Sequence, residues 1–333
     1  MRLIDYADPR GDAELRAGLA EYLASTRGLH ATADNIAVLR GSQQGLYLAA
    51  RTLLQPGDRV AVEAPGYQPA WAALRAAGLV LEPVAVDAAG IDTGALEELC
   101  ARRVIRAVYV TPHHQHPTTV TLTAGRRVAL LALAYQQRLL VLEDDYDHEF
   151  RYEGQPVLPL AAADRHGLVC YLGTLSKVFA PGLRLGYIAA TPDVIGRIAA
   201  YRAVVDQQGD HVLERAVAEL LASGTLERHV RRARRVYRAR RDALCEALRR
   251  EIPSLVVHPP PGGVALWVRA PGVDVDAWVE RAAAADVQFQ PGSRFAFDGR
   301  RSDFARLGFG ACTERELAEA ARRLAACLPR RRR

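Results

Sequence analysis

The sequence predicts an α/β fold, an αβα sandwich around a mostly parallel sheet, followed by a smaller C-terminal α+β domain. Three observations predict it. Short apolar runs alternate with segments of helical period from residue 12 to about 200, the mark of βαβ units whose sheet is covered on both faces. Near residue 192 the alternation gives way to long helices and a few short strands. The 333 residues, half of them apolar and a quarter charged, suffice for roughly two domains at about 150 residues each.

The elements follow in order. Leu15, Leu19, Tyr22 and Leu23 recur at helical spacing and predict a helix over 13–27. The strand IAVL (36–39) runs into a helix in GSQQGLYLAARTLL, which Pro56-Gly57-Asp58 ends. Strand 59–65, helix 68–77, strand 79–86, helix 92–102, strand 107–112, helix 123–137 and strand 138–146 continue the alternation, with strands at 169–176 and 184–190. Residues 193–250 read as almost wholly helical. Strands VVHP and GVALWVRA, helix 274–285, strands VQFQPG and ARLGFG (305–310) and helix 313–328 complete the chain. The expected division is a large domain over 1–205, with 1–12 as an N-terminal segment, and a small domain over 206–333 that includes a long bridging helix. With no internal repeat or low-complexity linker, the two should be packed rather than tethered.

Composition narrows the function classes. The proportions exclude a disordered or collagen-like chain. No run approaches the ~18–20 apolar residues of a membrane span, and charges in MRLIDYADPRGDAEL occupy the place of a signal peptide's apolar stretch, so a cytoplasmic protein is expected. Cys100, Cys170, Cys245, Cys312 and Cys327 are odd in number and scattered, which argues against a disulfide framework. The net charge of +6 could suggest nucleic acid, but 43 of the 44 basic residues are arginine, and codon bias toward arginine accounts for the charge without a partner. In the arginine-dense segment 228–250, Val230, Val236, Tyr237, Leu244 and Leu248 make one apolar stripe, so a solvated bridging helix is expected. The tail Arg330–Arg333 reads as disordered.

The remaining basic residue, Lys177, is the only lysine in the chain. A lysine retained where arginine serves every other role points to a task arginine cannot perform, loss of the proton and nucleophilic attack. Ligands of open parallel sheets sit beyond the carboxyl ends of the strands, and those ends carry a consistent set. Gly41-Ser42-Gln43-Gln44-Gly45 offers N–H groups and a hydroxyl at a helix N-terminus, suited to an anion. Tyr67 follows Pro65-Gly66; Glu143-Asp144-Asp145-Tyr146 brings carboxylates and a phenol; Thr174, Ser176 and Lys177 are followed by Arg184. An amine nucleophile, a phosphate cradle, a stacking ring and a carboxylate are what pyridoxal 5'-phosphate requires.

In DYADPRGDAELR, GSQQGL, PGDRVAVEAPGY, AVYVTPHHQHP, LEDDYDHEFRY and YLGTLSKVFAPGLRLGY, in order over residues 5–187, with RLGFG near the end, the sequence resembles fold type I pyridoxal-phosphate aminotransferases of class I/II, above all the aminotransferase-like domain of MocR-type regulators of the GntR family. The resemblance implies that Lys177 forms the internal aldimine (a Schiff base) and moves the proton, Asp144 pairs with the pyridinium, and Tyr146 bonds the cofactor's phenolic oxygen. By the same resemblance Tyr67 stacks on the ring, Ser42, Gln43, Thr174 and Arg184 hold the phosphate, Ser176 also contacts the cofactor, and Arg306 takes the substrate α-carboxylate. Tyr6 would reach the phosphate of a partner subunit, which implies a homodimer with shared sites.

There are departures. His116-Pro117-Thr118-Thr119 stands where aminotransferases of this class carry Asn-Pro-(Thr/Ser)-Gly, so His116 is expected to line the cofactor pocket in place of that asparagine. The chain opens almost on the first matching block, and a winged-helix head and N-terminal arm are not expected. His113, His114 and His116 together with the acidic cluster 143–149 could suggest a metal, but adjacent histidines on a strand face opposite ways and no cysteine joins them, so no metal site is expected. The expected activity is transfer of an amino group between an amino acid and a 2-oxo acid. The alternatives are a ligand-sensing domain of a MocR-type regulator, or another reaction of the same cofactor such as decarboxylation, elimination or carbon–carbon bond formation.

Overall fold

The computed structural model describes residues 6–155 and 157–329; the tail Arg330–Arg333 lies outside them. Helix α1 (Ala13–Arg27) is capped by Asp12, which accepts from the Leu15 N–H, and is closed by Gly28 in the left-handed conformation. Strand β1 (Ile36–Leu39) leads to α2 (Ser42–Leu53), and β2 (Arg59–Ala64) to α3 (Gln68–Ala76). β3 (Val80–Asp87) turns back into a short β4 (Gly90–Ile91) that the hydropathy pattern did not reveal. After α4 (Thr93–Arg102) come β5 (Ala107–Val110), α5 (Ala124–Gln137), β6 (Leu140–Asp145), the single turn α6 (Leu160–Ala163), β7 (Val169–Thr174) and β8 (Gly186–Ala189).

These strands form one sheet in the order β1-β8-β7-β6-β5-β2-β3-β4. From β7 through β3 the neighbours are parallel. β8 is antiparallel to both of its neighbours because a loop, not a crossover helix, joins it to β7. Alternate side chains of each strand serve opposite layers. Val60, Val62, Leu142 and Leu172 pack with Leu46, Trp71 and Leu74 of α2 and α3, and with Ile195 and Ile198 of α7 (Pro192–Val205). Ala61, Val108 and Val141 pack with Leu96 and Leu130 of α4 and α5 on the other face. On that same face Val38 and Tyr171 meet α1 and α8 (His211–Ala222).

The long α9 (Thr225–Glu251) then carries the chain to a second, antiparallel sheet, in the order β11-β12-β10-β9. Its strands are β9 (Val256–Val257), β10 (Ala265–Arg269), β11 (Gln290–Pro291) and β12 (Phe304–Gly308). Helices α10 (Val275–Ala283) and α11 (Glu314–Ala326) cover it around Trp278, whose indole N–H donates to the Leu324 carbonyl. We keep the division at 205/206 as a proposal. α8 and the first turns of α9 pack on the large sheet through Val217, Ala218, Leu226 and Val230, whereas Leu244 and Leu248 join the smaller core. The expected stripe on α9 holds except at Val236, which is exposed: residues 230, 237, 244 and 248 share a face, and 236 is turned away from it. No helix among the described residues is long and apolar enough to cross a membrane.

Candidate functional site

A cavity of about 750 Å³ opens at the carboxyl ends of the large sheet, closed on one side by the smaller unit. Its lining brings together Ser42, Gln43, Tyr67, His116, Asp144, Tyr146, Thr174, Ser176, Lys177, Arg184 and Arg306. Tyr6 is the exception. It lies outside the cavity, 81 % exposed, on a segment whose next residue, Ala7, donates its N–H to the Gln208 side chain.

One end of the cavity is built for an anion. Gly41, at φ 84°, starts α2 and has no side chain to cap it, so the first-turn N–H groups of the helix face the cavity with their positive dipole end. The Arg184 guanidinium lies over this turn; a Cβ on Gly41 would come within 2.9 Å of its Nη2. Arg184 itself is left-handed at φ 50°, so the strand expected from 184 starts only at Gly186, and its side chain turns back toward α2. Such a conformation costs a non-glycine residue about 1–2 kcal/mol and persists where the surroundings dictate it. The Ser176 hydroxyl is buried without a hydrogen-bond partner. Thr174 is engaged locally, its hydroxyl accepting from the Ser176 N–H at 3.1 Å and donating to the Leu185 carbonyl at 3.4 Å.

The other end is built for a cationic ring nitrogen. Asp144 is buried at the end of β6, and its Oδ2 accepts from the Tyr109 hydroxyl at 2.7 Å. Its Oδ1 has no partner. Burial pushes the carboxyl up to about 7, against the pull of the Tyr109 hydrogen bond. Tyr67 and His116 form one wall, their ring centroids 4.8 Å apart and edge-on. His116 also meets Phe295 edge-on at 5.2 Å. Burial, then Arg306 and Lys177, holds the His116 pKa well below its ordinary value, so its ring is neutral at pH 7. The Tyr146 hydroxyl donates to the His114 carbonyl at 2.9 Å, so it must turn from that bond to meet a ligand's phenolic oxygen.

Between the two ends stands Lys177. Burial of its ammonium, then the Arg306 guanidinium, lowers its pKa, with Arg184 acting in the same sense. That favours the neutral, nucleophilic amine. Arg306, on β12, reaches in from the smaller unit with a buried Nε that has no partner. Sequence reasoning missed Tyr109, the one hydrogen-bonding partner of Asp144, because it sits in the apolar run AVYV and reads as core. It also missed Tyr237, which lines the cavity although its position reads as part of the apolar stripe of α9.

The donor set fits pyridoxal 5'-phosphate on three observations: the orphaned buried Asp144 Oδ1, the unpartnered Ser176 hydroxyl, and a turn at Gly41 that a Cβ would obstruct. Comparison with known proteins gives the same answer. The chain is 33 % identical over 329 residues to aromatic-amino-acid aminotransferase 1 of Thermococcus litoralis, covering 97 % of this chain and 79 % of that one. It is 34 % identical to the HTH-type transcriptional regulator TauR of Rhodobacter capsulatus over 93 % of this chain, but spans only 63 % of that regulator. The solved structure of LysN, an α-aminoadipate aminotransferase from Thermus thermophilus complexed with N-(5'-phosphopyridoxyl)-L-leucine, superposes with a TM-score of 0.89 at 31 % identity, covering 97 % of this chain and 83 % of that one. The family profile described as "Aminotransferase class I and II" matches residues 2–324, and the chain belongs to that family.

Proposed function

We propose that this chain is a pyridoxal-phosphate aminotransferase exchanging an amino group between an amino acid and a 2-oxo acid, with Lys177 as its catalytic base and Asp144 and Tyr146 as the catalytic groups on the cofactor. The observation that carries the reading is the pairing of the sole lysine with a buried carboxyl that lacks a second partner, both in one cavity. The cofactor, when bound, supplies an electron sink for the charge released at the substrate Cα. Asp144 Oδ1 would hold the proton on the pyridine nitrogen and keep that sink deep. The N-terminus of α2 with Ser42 and Gln43, the Ser176 hydroxyl and Arg184 would hold the phosphate, Thr174 bracing Ser176 from behind. Tyr67 would cover one face of the ring, and neutral His116 would line it without adding a positive charge beside Lys177.

Arg306 presents a planar fork suited to the substrate α-carboxylate. Holding that carboxylate would keep it from leaving and so would favour proton removal over decarboxylation. Lys177 Nζ, whose pKa burial and then Arg306 lower, would take the Cα proton and return it on the cofactor side. The exposure of Tyr6 supports a homodimer in which it serves a second subunit, and we place the protein in the cytoplasm. The test is product analysis with a panel of amino acids. One 2-oxo acid formed per amino group delivered to an acceptor supports transfer; carbon dioxide or ammonia as the stoichiometric product overturns it. The similarity to TauR favours one other reading, a sensing module, for which amino acids would bind without multiple turnovers.

A further inference from the structure

On the face of β6 turned away from the cavity, two histidines and a carboxylate converge that play no part in the chemistry above. Asp145 ends β6, His148 follows it in the next turn, and His113 lies just beyond β5. β5 and β6 are parallel neighbours in register, so their carboxyl ends meet at one level. One donor atom from each of the three residues lies within 4.8 Å of the other two, and all three side chains are buried, or nearly so. The sequence sets His113, His114 and His116 beside the acidic cluster 143–149 and no metal site is expected there; of these histidines only His113 joins the group, with His116 in the other cavity and the His114 ring edge-on to His113 at 4.8 Å. His114 instead hydrogen-bonds Asp147 at 2.8 Å, while His113 faces the His148 ring with centroids 4.3 Å apart.

The second observation is what these groups lack. Neither ring nitrogen of His113 has a hydrogen-bond partner among the described residues, and neither does Asp145 Oδ1, although both residues are only 3 % exposed. Buried polar atoms without partners are rare in folded chains, and an ion is one of the few things that accounts for several in one place. The surroundings are those of a metal's outer shell. Asp145 Oδ2 accepts from the Tyr171 hydroxyl at 2.8 Å, and that hydroxyl accepts from Arg27 Nε at 2.7 Å, which fixes the carboxylate's orientation. A separate cavity of about 530 Å³, lined by His113, His148, Tyr22, Arg151 and Arg234, provides an entry path and room for a water.

We propose that His113, Asp145 and His148 bind a divalent transition metal of the zinc class, with water in the fourth position. Two imidazoles and one carboxylate suit zinc or cobalt, whereas magnesium and calcium prefer all-oxygen sets. Donor atoms around a tetrahedral zinc with bonds of 2.0–2.2 Å lie about 3.4 Å apart, so the ion would replace the present 2.8 Å contact between His148 Nδ1 and Asp145 Oδ2 and draw the three residues around itself. The metal would pin the ends of β5 and β6 together beneath Asp144, as a structural tie rather than a reactant.

The test uses the cofactor-loaded protein, stripped with a chelator, given Zn²⁺ or Co²⁺ alone and dialysed. The expected result is about one metal per chain, visible Co²⁺ bands of a tetrahedral nitrogen and oxygen site, and a higher Tm. His113→Ser and His148→Ser should each lose the metal while keeping the cofactor absorption that reports a folded chain. Wild-type protein that retains no metal overturns the proposal, as does metal retained equally by both variants. If either variant fails to fold, the wild-type Co²⁺ spectrum decides: bands without imidazole coordination, or none, also overturn it.

Discussion

Asp144 and Asp145 are adjacent in sequence, equally buried, and opposite in state. Asp144 faces the cavity, where the Tyr109 hydroxyl is the one hydrogen-bond partner of its carboxyl among the described residues, and burial pushes that carboxyl up to about 7. Asp145 faces the other layer, where burial acts the same way but is overcome by His148, His113 and Arg27, which hold it far below the ordinary carboxylate range. Burial alone does not decide whether a carboxyl is charged; its neighbours do. The strand's two-residue period sorts the pair, turning one carboxyl toward the cavity and the other toward two histidines and the Tyr171 hydroxyl in the opposite layer.

The comparison can be broken at several points. The largest effect belongs to the cavity side. Lys177→Ala should lower turnover by about 10⁴-fold or more, because it removes the cavity's one amine, and steady-state kinetics will show it. The next effect is on pH. A raised folded pKa means the folded chain keeps its proton, so Asp144 contributes fully below its unfolded value near 3.8, and that contribution is lost as the pH rises to about 7. The loss amounts to at most about 4 kcal/mol in the cofactor-free chain. Glu63 and Glu143, also pushed up to about 7 by burial, act in the same sense. A bound pyridinium should cancel the Asp144 part, so the Tm gap between loaded and cofactor-free protein should widen from about pH 4 to about pH 7 and then level off. In Asp144→Asn that widening should vanish.

Asp145 works with the opposite sign. Its folded pKa is depressed, so its contribution is present above the unfolded value near 3.8 and disappears as the pH falls below it. Asp145→Ala should therefore lower the unfolding free energy near neutral pH by about 3 kcal/mol, by stranding buried histidine and arginine partners, as denaturant melts will register. The smallest effect is Tyr109→Phe. Removing the one hydrogen bond to Asp144 should weaken cofactor binding about tenfold, measured by equilibrium titration.

Much of this was legible in the sequence. The order of strands and helices, the cavity at the strand ends and nine of the residues that line it follow from hydrophobic period and from what lysine does that arginine cannot; His116 and Arg306 came from the family resemblance. What escaped did so for physical reasons. Hydropathy carries no sign of φ, so the left-handed turn at Arg184 read as strand. Tyr109 reads as core because a buried tyrosine looks the same whether or not its hydroxyl has a carboxylate to serve. The sequence raises a histidine and acidic-cluster site and sets it aside; that His113 meets Asp145 and His148 depends on the register of two strands separated by a whole helix, which no local pattern encodes.

The most direct test of the central claim is the visible absorption spectrum of the protein with pyridoxal 5'-phosphate, before and after an amino acid, beside Lys177→Ala. The expected result is a band that requires Lys177, bleaches with the amino acid and returns with a 2-oxo acid. A band that forms in wild type and Lys177→Ala alike, or one that no amino acid bleaches, would contradict it.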